Sequence, residues 1–481
     1  RKSELAFTGV PELQLPGLYN VSNLRAGSSW VVSNSHSEQK INSVFGFGKF
    51  SFKDFLFLEF SGRNDWTSIL PIDNDSFFYP SVTASAVISD MVEMNPSGVS
   101  FLKLRGGWSQ VGGIGALSPY SLAPTYALST ETWGGNSVAF LPGQLNNPNI
   151  KSETTEGIEV GLDARFINNS IRFTATYYDQ TSTDLVVPVQ VTAASGYTSA
   201  VQNVGEMRNK GIELQLGATI VDNGDFKFDV DLNWAKNDNE VVSLGGLDAL
   251  VLGGQWSMTL EAREGESYGS IVGPAFERSP SGDVVYVNGL PKIAPGTEIL
   301  GNITPDWTGG ANFTFSYKGF ALNALVDAKI GGDVYTMTNA WGRYAGVLAE
   351  TLVGRETGIV GDGVMLDGSG NYVPNNVVVT AKSYNQSAFS NNVVESSVFD
   401  ASYVKLRQMM LTYKLPNSML KQSFLSDVSF SVVGRNLAIL YKNVPHIDPE
   451  SAFSDDNGEQ GQEFGQLPSA RSIGFNIMLK L

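Results

Sequence analysis

Apolar and polar residues alternate with period two along much of the chain, the pattern of β-strands with one apolar face. In EGIEVGLDARFI at 156–167, Ile158, Val160, Leu162, Ala164 and Phe166 share one face, while Glu159, Asp163 and Arg165 share the other. At 171–178, Ile171, Phe173, Ala175 and Tyr177 oppose Arg172, Thr174 and Thr176. Ile212, Leu214, Leu216 and Ala218 oppose Glu213, Gln215 and Thr219, and FKFDVDLNW at 226–234 alternates without a fault. IGFNIMLKL at 473–481 has one lapse, Met478 on the polar side. The pattern predicts thirteen strands, at 42–52, 55–63, 81–89, 101–109, 156–167, 171–180, 210–221, 225–236, 306–317, 320–330, 403–413, 428–436 and 471–481.

The connections alternate too. Lys53-Asp54, Asn168-Asn169-Ser170, Asp222-Asn223-Gly224 and Lys318-Gly319 are tight links made of turn residues. Between them lie long segments, 64–80, 110–155, 181–209, 237–305, 331–402 and 437–470. Alternation by itself fits either a sandwich, whose apolar face packs inward, or a membrane barrel, whose apolar face meets lipid. Short turns at one end and long loops at the other favour the barrel. So do aromatics near the strand ends of the apolar face (Trp108, Phe166, Tyr177, Phe226, Trp234, Trp307, Tyr317 and Phe320), where interfacial girdles belong. With a periplasmic C-terminus, an odd number of strands makes the first one descend. Residues 1–41 then read as an extracellular loop segment, and 42–481 as the C-terminal part of a barrel whose remaining strands come from elsewhere, since an open edge cannot sit in lipid.

Composition narrows the function. The 481 residues include 51 Gly, no Cys and only two His, with 32 basic against 48 acidic side chains, a formal net charge of −16. The acidic balance argues against nucleic acid. Without cysteine there is no thiolate nucleophile, disulfide framework or iron–sulfur cluster. No apolar run is long enough for a membrane-spanning helix. The chain opens RKSELAFTGV, without an apolar signal region. Either processing removed its beginning or it is part of something longer. The acidic excess is expected in loops and lumen.

Several stretches carry a family resemblance: FLEFSGRNDWTSILP at 57–71, FLKLRGGWSQVGG at 101–113, NNPNIKSETTEGIEVGLDARF at 146–166, NVGEMRNKGIELQL at 203–216, SYVKLRQMMLTYKLP at 402–416, VVGRNLAIL at 432–440 and HIDPESA at 446–452. In this order and spacing the chain resembles the C-terminal part of the SusC/RagA-type TonB-dependent transporters of Bacteroidetes outer membranes. The resemblance implies a 22-stranded barrel, with the plug domain and TonB box in an N-terminal portion outside this chain. It also implies active import of glycans or peptides, with a SusD-like surface lipoprotein as lid and coupling through TonB. Leu481 departs from the aromatic with which outer-membrane barrels often end. A passive porin-type channel and a soluble secreted all-β glycan-binding protein are the alternative readings.

The candidate ligand-binding residues are Arg63, Asp65 and Trp66 at a strand-to-loop junction and the loop aromatics Trp133, Trp256, Trp341 and Tyr344. The first group either shapes a binding cavity or pins the loop base. The aromatics offer flat apolar faces to sugar rings, or pack loop on loop. Asp455-Asp456-Asn457-Gly458-Glu459, Asp362-Gly363 and the turn from Asp367 to Asn371 are oxygen-rich but miss the EF-hand spacing, so no metal or other cofactor is expected. His36 and His446 read as loop residues, and Asp448 and Glu450 as structural or functional alike. Polar-face charges such as Glu213, Lys227, Asp229 and Asp231 read as satisfying one another or water, with no acid/base dyad among them, so catalysis is not expected.

Overall fold

The computed structural model describes residues 2–9, 14–15, 23, 25, 30–115, 117–123, 125–390, 392–421, 424–454 and 457–480. Arg1, Leu481 and the candidate calcium-loop residues Asp455 and Asp456 lie outside them. A fourteen-stranded sheet dominates. Thirteen strands follow one another as an antiparallel meander: β1 (Ile41–Phe52), β2 (Leu56–Thr67), β3 (Ser76–Val87), β4 (Val99–Gly113), β5 (Glu153–Phe166), β6 (Ile171–Gln190), β7 (Ser199–Asp222), β8 (Phe226–Ser243), β9 (Trp307–Tyr317), β10 (Phe320–Ile330), β11 (Tyr403–Lys414), β12 (Asp427–Lys442) and β13 (Ser472–Lys480). The fourteenth, Gln144–Leu145, pairs in parallel with the far end of β7. All thirteen coincide with the strands expected from alternation. Among the described residues no ladder joins β1 to β13, so the sheet has two free edges. Within 1–41, Lys2–Gly9 pairs with Trp30–Ser37 in a separate hairpin.

Register puts the alternating apolar sets on one common face. Ile158 sits opposite Trp108, Leu162 opposite Leu104 and Ala175, and Leu214 opposite Ala175 and Trp234. Among the described residues no second sheet covers this face. On β13, Ile473, Phe475, Ile477 and Leu479 are 60–83% exposed, which a sandwich core would bury. That removes the soluble reading. Toward the loop ends the same face becomes charged, with Asp179 two residues beyond Tyr177 and Arg208 and Lys210 just before Ile212; Arg208 Nε donates to Asp179 Oδ1 at 2.9 Å. On β7 the apolar face between these charges and the tight turn runs from Ile212 to Ile220, a span of nine residues, the length that crosses a bilayer.

The opposite face is polar and internally paired. Arg105 bridges Glu159 and Asp163, Arg172 meets Asp231 at 3.1 Å, and Lys227 meets Asp229 at 2.8 Å. Gly211 sits where Tyr178 crosses the wall, and a Cβ there would collide with the Tyr178 ring and the Lys236 carbonyl. The tight turns form as expected. Lys53 and Asp54 both adopt positive φ, as do Lys318 and Gly319, the conformation that a two-residue hairpin link requires.

The loops differ from expectation. Segments 64–80 and 181–209 are mostly strand, because β2, β3, β6 and β7 run on beyond the apolar band. Outside lipid an alternating apolar face is no longer required. The β6–β7 extension also carries register shifts at Ser182–Leu185, with Asp184 at φ 57°, so the period-two signal fades while pairing continues. Segments 237–305 and 331–402 fold into short sheets and helices, including α1 (Met337–Ala345) and α2 (Ala381–Ala388). They share a core of Met258, Leu260 and Ile271 from the first with Tyr335, Met337, Ala340 and Val394 from the second. Segment 437–470 joins them through Gln462–Glu463, which pairs in parallel with Tyr335 and Thr336.

Candidate functional site

Three loops meet in one aromatic cluster. The hairpin of Ala249–Gln255 with Met258–Arg263 leaves a two-residue turn, Trp256-Ser257. Trp256 takes its first position at φ 54°, a conformation that is an outlier for a bulky side chain and is held only by its surroundings. Its ring lies 6.3 Å from that of Trp341 and 5.1 Å from that of Phe464, both edge-on, and Trp341 lies 5.6 Å from Tyr344. Such T-shaped pairs are the favoured aromatic geometry. All four rings are 37–53% exposed.

Each ring is fixed from below. Thr336 caps α1 by accepting from the Asn339 N–H, and Gly346 closes the helix in the left-handed region at φ 73°. Thr336 and Thr338 donate to the buried Glu463 carboxylate at 2.5 and 2.7 Å, and the Gly465 N–H donates to Thr338 Oγ1 at 2.7 Å, bracketing Phe464. Asn339 Nδ2 donates to the Pro445 carbonyl at 3.1 Å. His446 Nε2 lies 2.9 Å from Glu350 Oε1, which also receives Arg343 Nε at 3.0 Å. Burial pushes the Glu350 carboxyl up, but its own backbone N–H, His446 and Arg343 outweigh this and hold it at about 2. Beside the cluster, Trp341 and Tyr344 form part of the wall of a cavity of about 620 Å³ between α1 and α2.

The other candidates are placed elsewhere. Arg63 and Asp65 point to the polar face, where Arg63 Nε donates to Asp65 Oδ1 at 2.7 Å, Arg63 Nη2 to Ser43 Oγ at 2.9 Å and Tyr79 OH to Asp65 Oδ2 at 2.5 Å. This clamp ties β1, β2 and β3 together. Trp66 alternates onto the opposite, apolar face, paired with Asn42 and Ser76. Trp133 is 83% exposed at the tip of the Ala127–Trp133/Asn136–Phe140 hairpin.

A second constellation was not assembled from sequence. Lys405 Nζ donates to Glu450 Oε2 at 2.6 Å and also bonds Asp448; Tyr403 OH donates to Glu450 Oε1 at 2.8 Å. Arg407 forks onto Asp327 at 2.8 and 2.6 Å and reaches both Glu450 oxygens at 2.7 Å. Burial raises the Asp448 and Glu450 carboxyls, but Lys405, Arg407 and their other donors hold both at about 2. Asp448 and Glu450 thus anchor the last loop to β11. Phe464 also escaped notice, because nothing near it in sequence marks it as the neighbour of Trp256. Among the described residues no group of His, Asp and Glu is arranged to hold a metal ion.

Comparison with known proteins agrees with this architecture. TonB-dependent receptor P3 of Formosa agariphila is 25% identical over 515 residues, covering all of this chain and 49% of that protein. TonB-dependent receptor SusC of Bacteroides thetaiotaomicron is 27% identical over 212 residues, covering 43% of this chain and 21% of that protein. The RagAB peptide importer in its closed-closed state superposes with a TM-score of 0.76 at 22% identity, over 97% of this chain and 50% of that one. The chain thus spans about half the length of the full-length relatives it matches. The family described as "TonB dependent receptor-like, beta-barrel" matches residues 8–437. With its lipid-facing sheet and loops folded at one end, this chain belongs to the TonB-dependent receptor-like β-barrel family of the outer membrane.

Proposed function

We propose that this chain forms the C-terminal portion of the barrel of a SusC-type importer that takes up glycans or peptides under a SusD-like lipoprotein lid. The plug and the TonB contact belong to the N-terminal portion of the same transporter, whose strands pair with the free edges of β1 and β13. Residues 1–41 are an extracellular segment and 42–481 the barrel portion. The observation that carries this reading is the packed module at the sheet's loop end, which presents Trp256, Trp341, Tyr344 and Phe464 as one exposed platform. An aromatic platform offers large rigid contact area at low entropic cost, which suits either a sugar ring or the lid. Arg63 and Asp65 act indirectly, by bracing the wall beneath, while Trp66 stands on the outer face beyond the apolar band and Trp133 stands apart.

The test is to purify the full-length transporter from its native membrane and identify what accompanies it. A SusD-like lipoprotein should co-purify, and uptake of the cognate oligomer should stop when TonB is deleted. Uptake that persists without TonB would establish a passive channel instead.

A further inference from the structure

The cavity between α1 and α2 has an unusual charge for this protein. In a chain of net charge −16, its lining contains Arg343, Arg355 and Lys382 and no Asp or Glu. Arg343 is already neutralised by Glu350 at 3.0 Å, with its guanidinium 4.5 Å over the Phe389 ring. The other two cations are not. Arg355 Nε donates to the Thr351 carbonyl at 3.0 Å, and its Nη2 to the Gly346 carbonyl at 2.5 Å and to Thr351 Oγ1 at 3.1 Å. These neutral acceptors aim the guanidinium without cancelling its charge. Among the described residues neither Arg355 nor Lys382 forms an ion pair. The cavity also takes in the first turn of α2, whose partial positive charge has the same sign.

We infer that this cavity binds an acidic saccharide, with a pyranose ring on the faces of Trp341 or Tyr344 and its carboxylate or sulfate group turned to Arg355 and Lys382. Two positive groups beside flat aromatic faces match a ring that is apolar on its C–H face and anionic at its rim. The remaining polar lining, including Thr380 and Gln386, suits ring hydroxyls. An acidic peptide would satisfy the cations but would leave the aromatic faces without a flat partner. The inference rests on reading the aromatic platform as ligand-facing, and selects a charge class within that reading.

The experiment measures binding to the full-length transporter in detergent by calorimetry, using tetragalacturonate, a sulfated galactotetraose, neutral galactotetraose and tetra-aspartate. Both acidic sugars should bind at least about tenfold more tightly than the neutral one, since charge-assisted hydrogen bonds are roughly twice as strong as neutral ones. The double variant Arg355→Gln/Lys382→Gln should bring them down to the neutral level, and Trp341→Ala should weaken every sugar. Normal heat-dependent gel migration verifies that each variant is folded. Equal binding of acidic and neutral sugars, an acid preference that survives the double variant, or tighter binding of tetra-aspartate would overturn the inference. Acidic and neutral sugars that bind equally and are both weakened by Trp341→Ala would keep the platform and remove only the acid preference. If no probe's binding responds to Trp341→Ala, both fail.

Discussion

Lys405 and Asp448, 43 residues apart in the chain, meet as an ion pair in which each side chain is only 4% exposed. One belongs to the wall and the other to the last loop, so the pair fastens the loop end of the structure to the strands that carry it. Glu450, Arg407 and Asp327 extend the fastening to β10. Buried ion pairs are weak sources of net stability but strong determinants of geometry, because removing one partner strands the other charge.

Replacing Lys405 by Met should therefore loosen segment 437–470 by about 3–5 kcal/mol. The Lys405→Met/Asp448→Leu double variant should recover much of that. Hydrogen exchange of the loop amides measures both, and equal loss of protection in the single and double variants would refute the coupling.

Acid should release the same loop. The Asp448 and Glu450 carboxyls titrate at about 2 in the folded protein, below their usual values near ~4. Their contribution is therefore complete above about pH 4.5 and is lost as pH falls toward 2. Limited proteolysis by pepsin across pH 5 to 2 should show cleavage within 437–470 rising through that window. In an Asp448→Asn/Glu450→Gln variant the rise should be absent.

Gln255 is 7% exposed beside Trp256, and neither side-chain amide atom has a hydrogen-bond partner. Unsatisfied buried polar groups cost about 1–3 kcal/mol. Gln255→Met, similar in volume, should raise the melting temperature of the protein, read by the loss of tryptophan fluorescence change on heating. A fall in melting temperature would show that the amide is satisfied in solution.

The two faces of β7 should respond oppositely to charge. Leu216 lies on the lipid side, halfway between Ile212 and Ile220, so Leu216→Arg should cost about 2–4 kcal/mol. Gln215→Arg, one residue away on the polar face, should be nearly neutral. Folded yield in the outer membrane, read by heat-modifiable gel mobility, distinguishes them.

The wall was legible in the sequence because its physics is local. Lipid on one side and a polar interior on the other impose a period of two on each strand, and Ile158–Val160–Leu162–Ala164 displays that period without any partner. Lys53-Asp54 and Lys318-Gly319 likewise announce tight links through Asp54 and Gly319, residue types that tolerate positive φ. Where those constraints lapse, at Asp184 and along the outer ends of β6 and β7, the strands continued unseen.

By itself, the sequence determined thirteen strands, the face each turns to lipid, the end that bears the loops, and the family resemblance. Only the tertiary structure decided that segments 237–305, 331–402 and 437–470 are one packed body. It alone brought Trp256 to Trp341 and Phe464, tied Trp341 to a cavity lined by Arg355 and Lys382, and separated Trp66 from Arg63 and Asp65 as residues serving opposite sides of the wall. The reason is the range of the interactions. A lipid-facing strand is specified by its own alternation, whereas a loop platform is specified by contacts among residues tens to hundreds of positions apart, and no local period records those.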